Sequence, residues 1–187
     1  MNDKLVIGVA GMPGAGKSVF ADVAKENGYG VVVMGDIIRE EAQKRSLEPT
    51  PENLGKIMLE LRQSEGANVI AKKCISKIEN ACESKIIVDG IRSLAEVEEL
   101  KRFFPKFTLV AVHASPETRF KRLYRRRRSD DPKNWEIFHE RNMRELSVGL
   151  GEAIAMAEHL IVNEKSLKAV KREIRKVLVK AEAKWTK

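Results

Sequence analysis

The sequence predicts an α/β domain: a five-stranded parallel sheet with helices on both faces. Three observations lead there. Five short runs are apolar on both sides of the strand alternation: Lys4–Ala10, Val31–Met34, Lys85–Asp89, Phe107–Val112 and His159–Val162. Such runs read as strands covered on both faces. Helical patterns separate them, which gives the β-α alternation of a doubly wound sheet. The first run leads straight into Gly11-Met12-Pro13-Gly14-Ala15-Gly16-Lys17-Ser18, and apolar Val19, Phe20, Val23 and Ala24 follow at helical spacing.

That octapeptide fits G-x-x-x-x-G-K-[ST], the phosphate-binding P-loop, in the strand-loop-helix context the motif requires. Its small residues let the backbone curl so that N–H groups from Gly11 to Ser18 converge on phosphate oxygens. Lys17 reaches the β- and γ-phosphates as a point charge, and the Ser18 hydroxyl is placed to ligate Mg²⁺. ATP with Mg²⁺ is the expected nucleotide ligand.

The length of 187 residues suits one domain spanning 1–187, and the hydrophobic content of 43% is ordinary for a globular chain. The first apolar run is too short for a secretory leader, and no segment approaches the length of a membrane span. Cys74 and Cys82, eight residues apart in an expected helix, lack metal-ligand spacing. A reducing cytoplasm is the expected compartment. The net charge of +8 is unevenly spread. Residues 165–187 hold nine Lys/Arg against two acids, so that segment carries +7 and the other 164 residues only +1. Its opposite side (Leu167, Val170, Ile174, Val177, Leu178, Ala181 and Trp185) is an apolar stripe. The expected element is a docked helix whose basic face is either solvated or meets RNA or the ribosome.

Two inserts interrupt the alternation. Residues 36–83 are helical apart from the loop 46–51, and residues 126–151 begin with an arginine cluster and continue as a polar helix. Inserts at the carboxyl ends of parallel strands carry substrate-binding parts in such sheets. Arg119, Arg122 and Arg126 share one helical face, with Arg125, Arg127 and Arg128 beside them and Ser129-Asp130-Asp131 following. So dense a set of like charges points to an anion, and a triphosphate in transfer is a fitting one. The aspartates would pair with arginines in a closed lid. Asp36 is expected to close the second strand and Asp89 the third, placing both beside the P-loop, where either could hold Mg²⁺ through water. Arg39 and Arg92 could clamp a second phosphate. Their bland alternative is ion pairing with Glu40 or Glu96.

Several of these segments resemble known nucleotide kinases. Gly35-Asp36-Ile37-Ile38-Arg39-Glu40 is similar to the acceptor-site motif of adenylate kinase and to Ala-Asp-Ile-Ile-Ala-Arg of dephospho-CoA kinase. Asp89-Gly90-Ile91-Arg92 resembles the Asp-Gly-Phe-Pro-Arg segment of the former, one residue shorter. Arg122, Arg126 and Arg128 with Asp130-Asp131 resemble its arginine lid, with Arg141 or Arg144 as the later lid arginine. Val162-Asn163 resembles the adenine-side turn, which implies nucleotide contact at Asn163. Over nearly its full length the chain looks closest to an archaeal P-loop nucleotide-binding family whose kinase activity is inferred from these relatives. The resemblance implies a three-layer α/β/α P-loop NTPase of nucleotide-kinase type, with 36–83 as the acceptor-binding insert and 126–151 as a short arginine-rich lid.

The departures concern the acceptor. Adenylate kinases have Thr where this chain has Met34, and Gln where it has Glu96. The Asp-x-Asp of dephospho-CoA kinases is also incomplete at Met34. A ribose hydroxyl acceptor benefits from a base, which Asp36 could supply. A monophosphate needs charge neutralisation instead, which suits Arg39 and Arg92. The expected activity is transfer of the γ-phosphoryl of ATP to a small phosphorylated acceptor, foremost a nucleoside monophosphate. Lys17, Arg122, Arg126 and Asp36 are its catalytic candidates. The alternatives are dephospho-CoA kinase-like hydroxyl phosphorylation and a kinase-like ATPase of RNA or ribosome assembly.

Overall fold

The five apolar runs pair into one parallel sheet in the order β2-β3-β1-β4-β5. The strands are β1 (Leu5–Ala10), β2 (Gly30–Val33), β3 (Lys85–Ile91), β4 (Phe107–His113) and β5 (His159–Val162). This is a computed structural model, and it describes residues 3–128 and 131–185. Helices α1 (Lys17–Glu26), α2 (Met34–Lys44), α3 (Pro51–Glu65), α4 (Val69–Glu79), α5 (Leu94–Phe103), α6 (Pro116–Arg126), α7 (Trp135–Ser147), α8 (Leu150–Ala155) and α9 (Leu167–Trp185) connect or follow them. Ser129 and Asp130 of the expected lid, and Lys187 of the basic tail, lie outside the described residues.

Strand alternation sorts the core into two halves. Val6, Ala10, Ile86, Val88 and Leu109 face α2–α5 and α8. Ile7, Val9, Ile87, Val110, Val112 and Ile161 face α1 and α9. Fully burying each aliphatic side chain is worth about 1.5–3 kcal/mol, so covering both faces explains why these strands tolerate no polar alternation.

Helix α9 docks as its apolar stripe predicts through Val170, Ile174, Leu178 and Ala181, whereas Leu167 is exposed instead. Ion pairs from Lys171 and Arg175 to Glu26, and from Lys184 to Glu158, seat its basic side against the domain. Exposed Lys168, Arg172, Lys176 and Lys180 remain as the face on which RNA contact would have to occur.

Three local expectations change. Asp36 does not close a strand: β2 stops at Val33, and Asp36 lies in the first turn of α2. Met34 is fully buried there, and an acid is favoured by the helix dipole at that end. Nor does Asp89 end β3, which continues to Ile91 through a bulge: Val9 pairs with Asp89, but Ala10 pairs with Ile91. Gly90 is the extra residue and adopts φ 103°, a conformation that glycine reaches without steric cost. Cys82 lies beyond the end of α4, while Cys74 is buried within it, and both are free thiols.

The insert is braced to the sheet by a buried ion pair. Arg62 of α3 donates to Glu96 Oε1 at 2.5 Å, and Glu96 Oε2 accepts the Arg92 backbone N–H at 2.7 Å. Glu96 is completely buried. Removing one member of such a pair strands the other charge, so Glu96→Ala is expected to lower stability by about 3–5 kcal/mol in urea titrations. A loss below about 1 kcal/mol, typical of an exposed pair, would show that the brace is unimportant.

Candidate active site

Strand β1 delivers the P-loop to the carboxyl edge of the sheet, and α1 starts at Lys17 with Gly16 as a left-handed cap. No side chain caps that helix start, which leaves its first amides available to an anion. The loop is held from behind. Arg119, only 5% exposed, donates to Pro13 O at 3.1 Å and to Asn142 Oδ1 at 2.7 Å. Asn163 Nδ2 donates to Ala15 O at 2.8 Å, and Arg122 donates to Ala15 O at 3.4 Å and to Asn163 O at 2.9 Å. A Cβ on Gly16 would stand 2.0 Å from Asn163 Nδ2, so glycine is required there by contact as well as by its φ of 104°.

These bonds divide the arginines that the sequence places on one face. Arg119 borders neither cavity beside the loop, and Arg122 borders only the outer one, about 350 Å³, together with Asn163, Lys165 and Leu167. The Arg122 guanidinium thus bridges the loop carbonyl of Ala15 and Asn163 beyond β5 while bordering that outer cavity. Asn163, expected at the adenine side, spends its amide on Ala15 while still bordering that outer cavity. Arg126 and Arg128 border both cavities. Arg126 binds Asp131 through Nε at 3.0 Å and Nη2 at 2.5 Å, as expected for a lid aspartate. Burial would raise the Asp131 pKa, but the Arg126 and Arg128 hydrogen bonds outweigh it and hold the carboxyl below its usual range.

The main cleft, about 700 Å³, gathers Gly11, Pro13, Gly14, Lys17, Ser18, Asp36, Arg39, Asp89, Arg92, Arg126 and Arg128. Of the loop residues named from the motif, Met12 packs against the core and Ala15 is buried, so these two contribute backbone only. Lys17 Nζ donates to Gly11 O at 2.7 Å. Burial lowers its pKa, and Asp89 opposes that shift. The bulge in β3 brings Asp89, Gly90, Ile91 and Arg92 all to the cleft wall.

Asp89 Oδ1 is buried with no hydrogen-bond partner among the described residues. Its desolvation pushes the carboxyl pKa up, against the pull of Lys17 and Arg92. An orphaned carboxylate oxygen beside the P-loop serine fits a hydrated Mg²⁺, so Ser18 and Asp89 are the residues that would hold that ion.

On the acceptor side, neither arginine forms the ion pair named as its bland alternative. Arg39 pairs with Asp36 at 2.8 Å rather than with Glu40. Arg92 Nε donates to Glu145 Oε2 at 2.7 Å, while Glu96 acts on Arg92 through its charge and accepts from its backbone N–H. Glu145 was not singled out in the sequence, where it reads as one more acid on a polar helix. Burial would raise its pKa, but Arg92 outweighs this and keeps it ionised. Helix α7 also brings Arg141 and Arg144 to a smaller inner pocket that shares Arg39, Arg92, Arg141 and Glu145 with the main cleft.

The raised Asp89 pKa has a definite sign. Folding favours the protonated acid, so its charge costs stability once pH exceeds the ordinary aspartate range and rises through the raised value. Asp89→Asn is therefore expected to raise Tm of the nucleotide-free protein at neutral pH, with the gain shrinking towards pH 4. It should also weaken the Mg²⁺-dependent part of ATP binding by about 10–100-fold. Calorimetry across pH, with and without Mg²⁺, checks both. Unchanged Mg²⁺ dependence would remove Asp89 from the ion's surroundings.

Residues 10–139 match the AAA domain family. A UPF0200 protein of Hyperthermus butylicus is 49% identical over 175 residues, covering 94% of each chain. A UPF0200 protein of Methanocaldococcus jannaschii is 49% identical over 164 residues, covering 87% of this chain and 83% of its own. Among solved structures, shikimate kinase from Acinetobacter baumannii in complex with shikimate superposes with a TM-score of 0.62 at 16% identity, covering 100% of this chain and 97% of the kinase. That likeness is one of fold, and it agrees with the five-stranded α/β architecture. The chain therefore belongs to the archaeal UPF0200 family and carries an AAA-type P-loop domain with a kinase-like fold.

Proposed function

We propose that this protein transfers the γ-phosphoryl group of Mg²⁺-bound ATP to a small phosphorylated acceptor. One observation carries this reading: the P-loop cleft adjoins a second, arginine-lined pocket, and the two share Arg39, Arg92, Arg141 and Glu145. A protein that only binds or hydrolyses nucleotide has no use for a second anion site behind the first. The Acinetobacter kinase of similar fold is in complex with shikimate, which supports a small-molecule acceptor here.

The residues divide the work as follows. The N-terminal amides of α1 and Lys17 hold the β- and γ-phosphates, and Arg126 and Arg128 approach from the lid. Ser18 and Asp89 would hold Mg²⁺, which would neutralise phosphate charge. Asp36 fixes Arg39 and Glu145 fixes Arg92, so two oriented guanidiniums meet the acceptor phosphate. An acceptor phosphate oxygen forms the new bond to Pγ while the bond from Pγ to the β–γ bridging oxygen breaks, and its electron pair leaves with ADP. A dianionic acceptor needs no base, so Asp36 acts here through Arg39. Catalysis is positioning and charge stabilisation.

Lys17→Ala is expected to lower turnover by about 10²–10³-fold or more with thermal unfolding unchanged. Coupled ADP-release assays over a panel of phosphorylated acceptors, nucleoside monophosphates included, provide the measurement, with acceptor-free hydrolysis as the control. Phosphoryl transfer at the wild-type rate would end this reading. Arg126→Ala should lower kcat more than nucleotide affinity. A loss confined to affinity would reduce Arg126 to a ground-state contact.

A further inference from the structure

The inner pocket between α2, α3 and α7 is small, about 90 Å³. Ile38, Leu54 and Met58 form an apolar floor, and four guanidiniums, from Arg39, Arg92, Arg141 and Arg144, meet around it. Three of those cations have a carboxylate nearby: Asp36 for Arg39, Glu145 for Arg92, and Asp131 at 4.0 Å for Arg141. Arg144 forms no ion pair or side-chain hydrogen bond among the described residues. It is half-buried, and its guanidinium lies against Gly55 of α3, where a Cβ would stand 3.1 Å from Nη1. Arg144 borders the inner pocket alone, while the other three also border the main cleft. Glu145 is the carboxylate among the described lining residues, and it is taken by Arg92, so Arg144 is the lining cation left to meet an incoming anion.

The pocket lining has a second property. Its described residues supply no side-chain amide or hydroxyl, groups well suited to reading a neutral nucleobase edge, and its carboxylate, Glu145, is already bound by Arg92. Met34 is fully buried in the core, and both carboxylate oxygens of Glu96 are engaged by Arg62 and by the Arg92 backbone. Neither residue borders this pocket.

We infer that the acceptor is a compact phosphate monoester carrying a carboxylate, with no nucleobase, and that Arg144 selects it. This rests on reading the cleft as a phosphoryl-transfer site. The phosphate meets Arg39, Arg92 and Arg141 at the wall shared with the nucleotide cleft. The short body crosses Ile38, Leu54 and Met58, and the carboxylate meets Arg144. Gly55 has a matching role: its missing side chain makes room for the guanidinium.

Calorimetric titration of the full chain in the presence of MgADP tests this without turnover. The probes are 3-phosphoglycerate, glycerol 3-phosphate (the same phosphate without the carboxylate) and AMP. Wild type should bind 3-phosphoglycerate about tenfold or more tightly than either other probe. Arg144→Gln should reduce that preference to about twofold. Gly55→Ala, which puts a better helix former in α3 and makes the Arg144 guanidinium give way by a few tenths of an ångström, should lower the preference in the same direction by a smaller factor and serves if Arg144→Gln fails to fold. Equal binding of the three probes, tightest binding of AMP, or a preference left unchanged in the folded variants would overturn the inference. Selective binding of the phosphorylated acid without transfer of a phosphoryl group to any acceptor would support the selectivity and overturn the transfer reading, so the two fail separately.

Discussion

The site depends on hydrogen bonds to the outward carbonyls of one glycine-rich loop. Arg119, Arg122 and Asn163 donate to Pro13 and Ala15 from three points on α6 and the end of β5. A loop of small residues has little packing of its own to fix it, and backbone freedom is what folding must remove. The carbonyls are taken up from outside, so the start of α1 remains as a concave, positively polarised surface. Arg119 is itself buried against the Phe138 ring, its guanidinium 5.0 Å from the ring centroid, and it binds Asn142 of α7. The same network therefore ties the loop to the helix that supplies Glu145 and the inner arginines.

Charge is placed with corresponding economy. The cleft is rich in guanidiniums, yet most of those that the structure orients have a carboxylate that fixes their direction: Asp36, Asp131 and Glu145. Such pairs are weak sources of stability when exposed, and Asp36–Arg39 is exposed. Their contribution is geometric, since a side chain with many rotamers is held at one anion-facing orientation before any anion arrives. Asp89 differs, a buried carboxylate with one oxygen left unpartnered among the described residues.

Much of this was legible in the sequence because it is local. The P-loop is eight consecutive residues, and its strand and helix flanks follow from periodicity. All five strands sit within a few residues of their apolar runs, and α9 docks by its stripe. The errors fall where the local signal is silent. The sequence does not show that Met34 turns into a helix, or that Gly90 forms a bulge, because both depend on what β3 pairs with. Arg119, Arg122 and Arg126 look equivalent at helical spacing. They part company because the P-loop carbonyls happen to lie beside the first two. Glu145 has no motif around it at all.

The sequence by itself determined the phosphate loop, the parallel sheet that presents it and the basic character of the segment from Arg119 to Arg128. Each is encoded in spacing over one or two turns or strands, where backbone geometry leaves few alternatives. Only the tertiary structure decided which cations face the cleft, which carboxylates hold them, and that α7 closes an inner pocket over α3 with Arg144 lying on Gly55. Those outcomes arise from contacts between residues tens of positions apart, whose distances are set by packing of the whole chain and by no pattern along it.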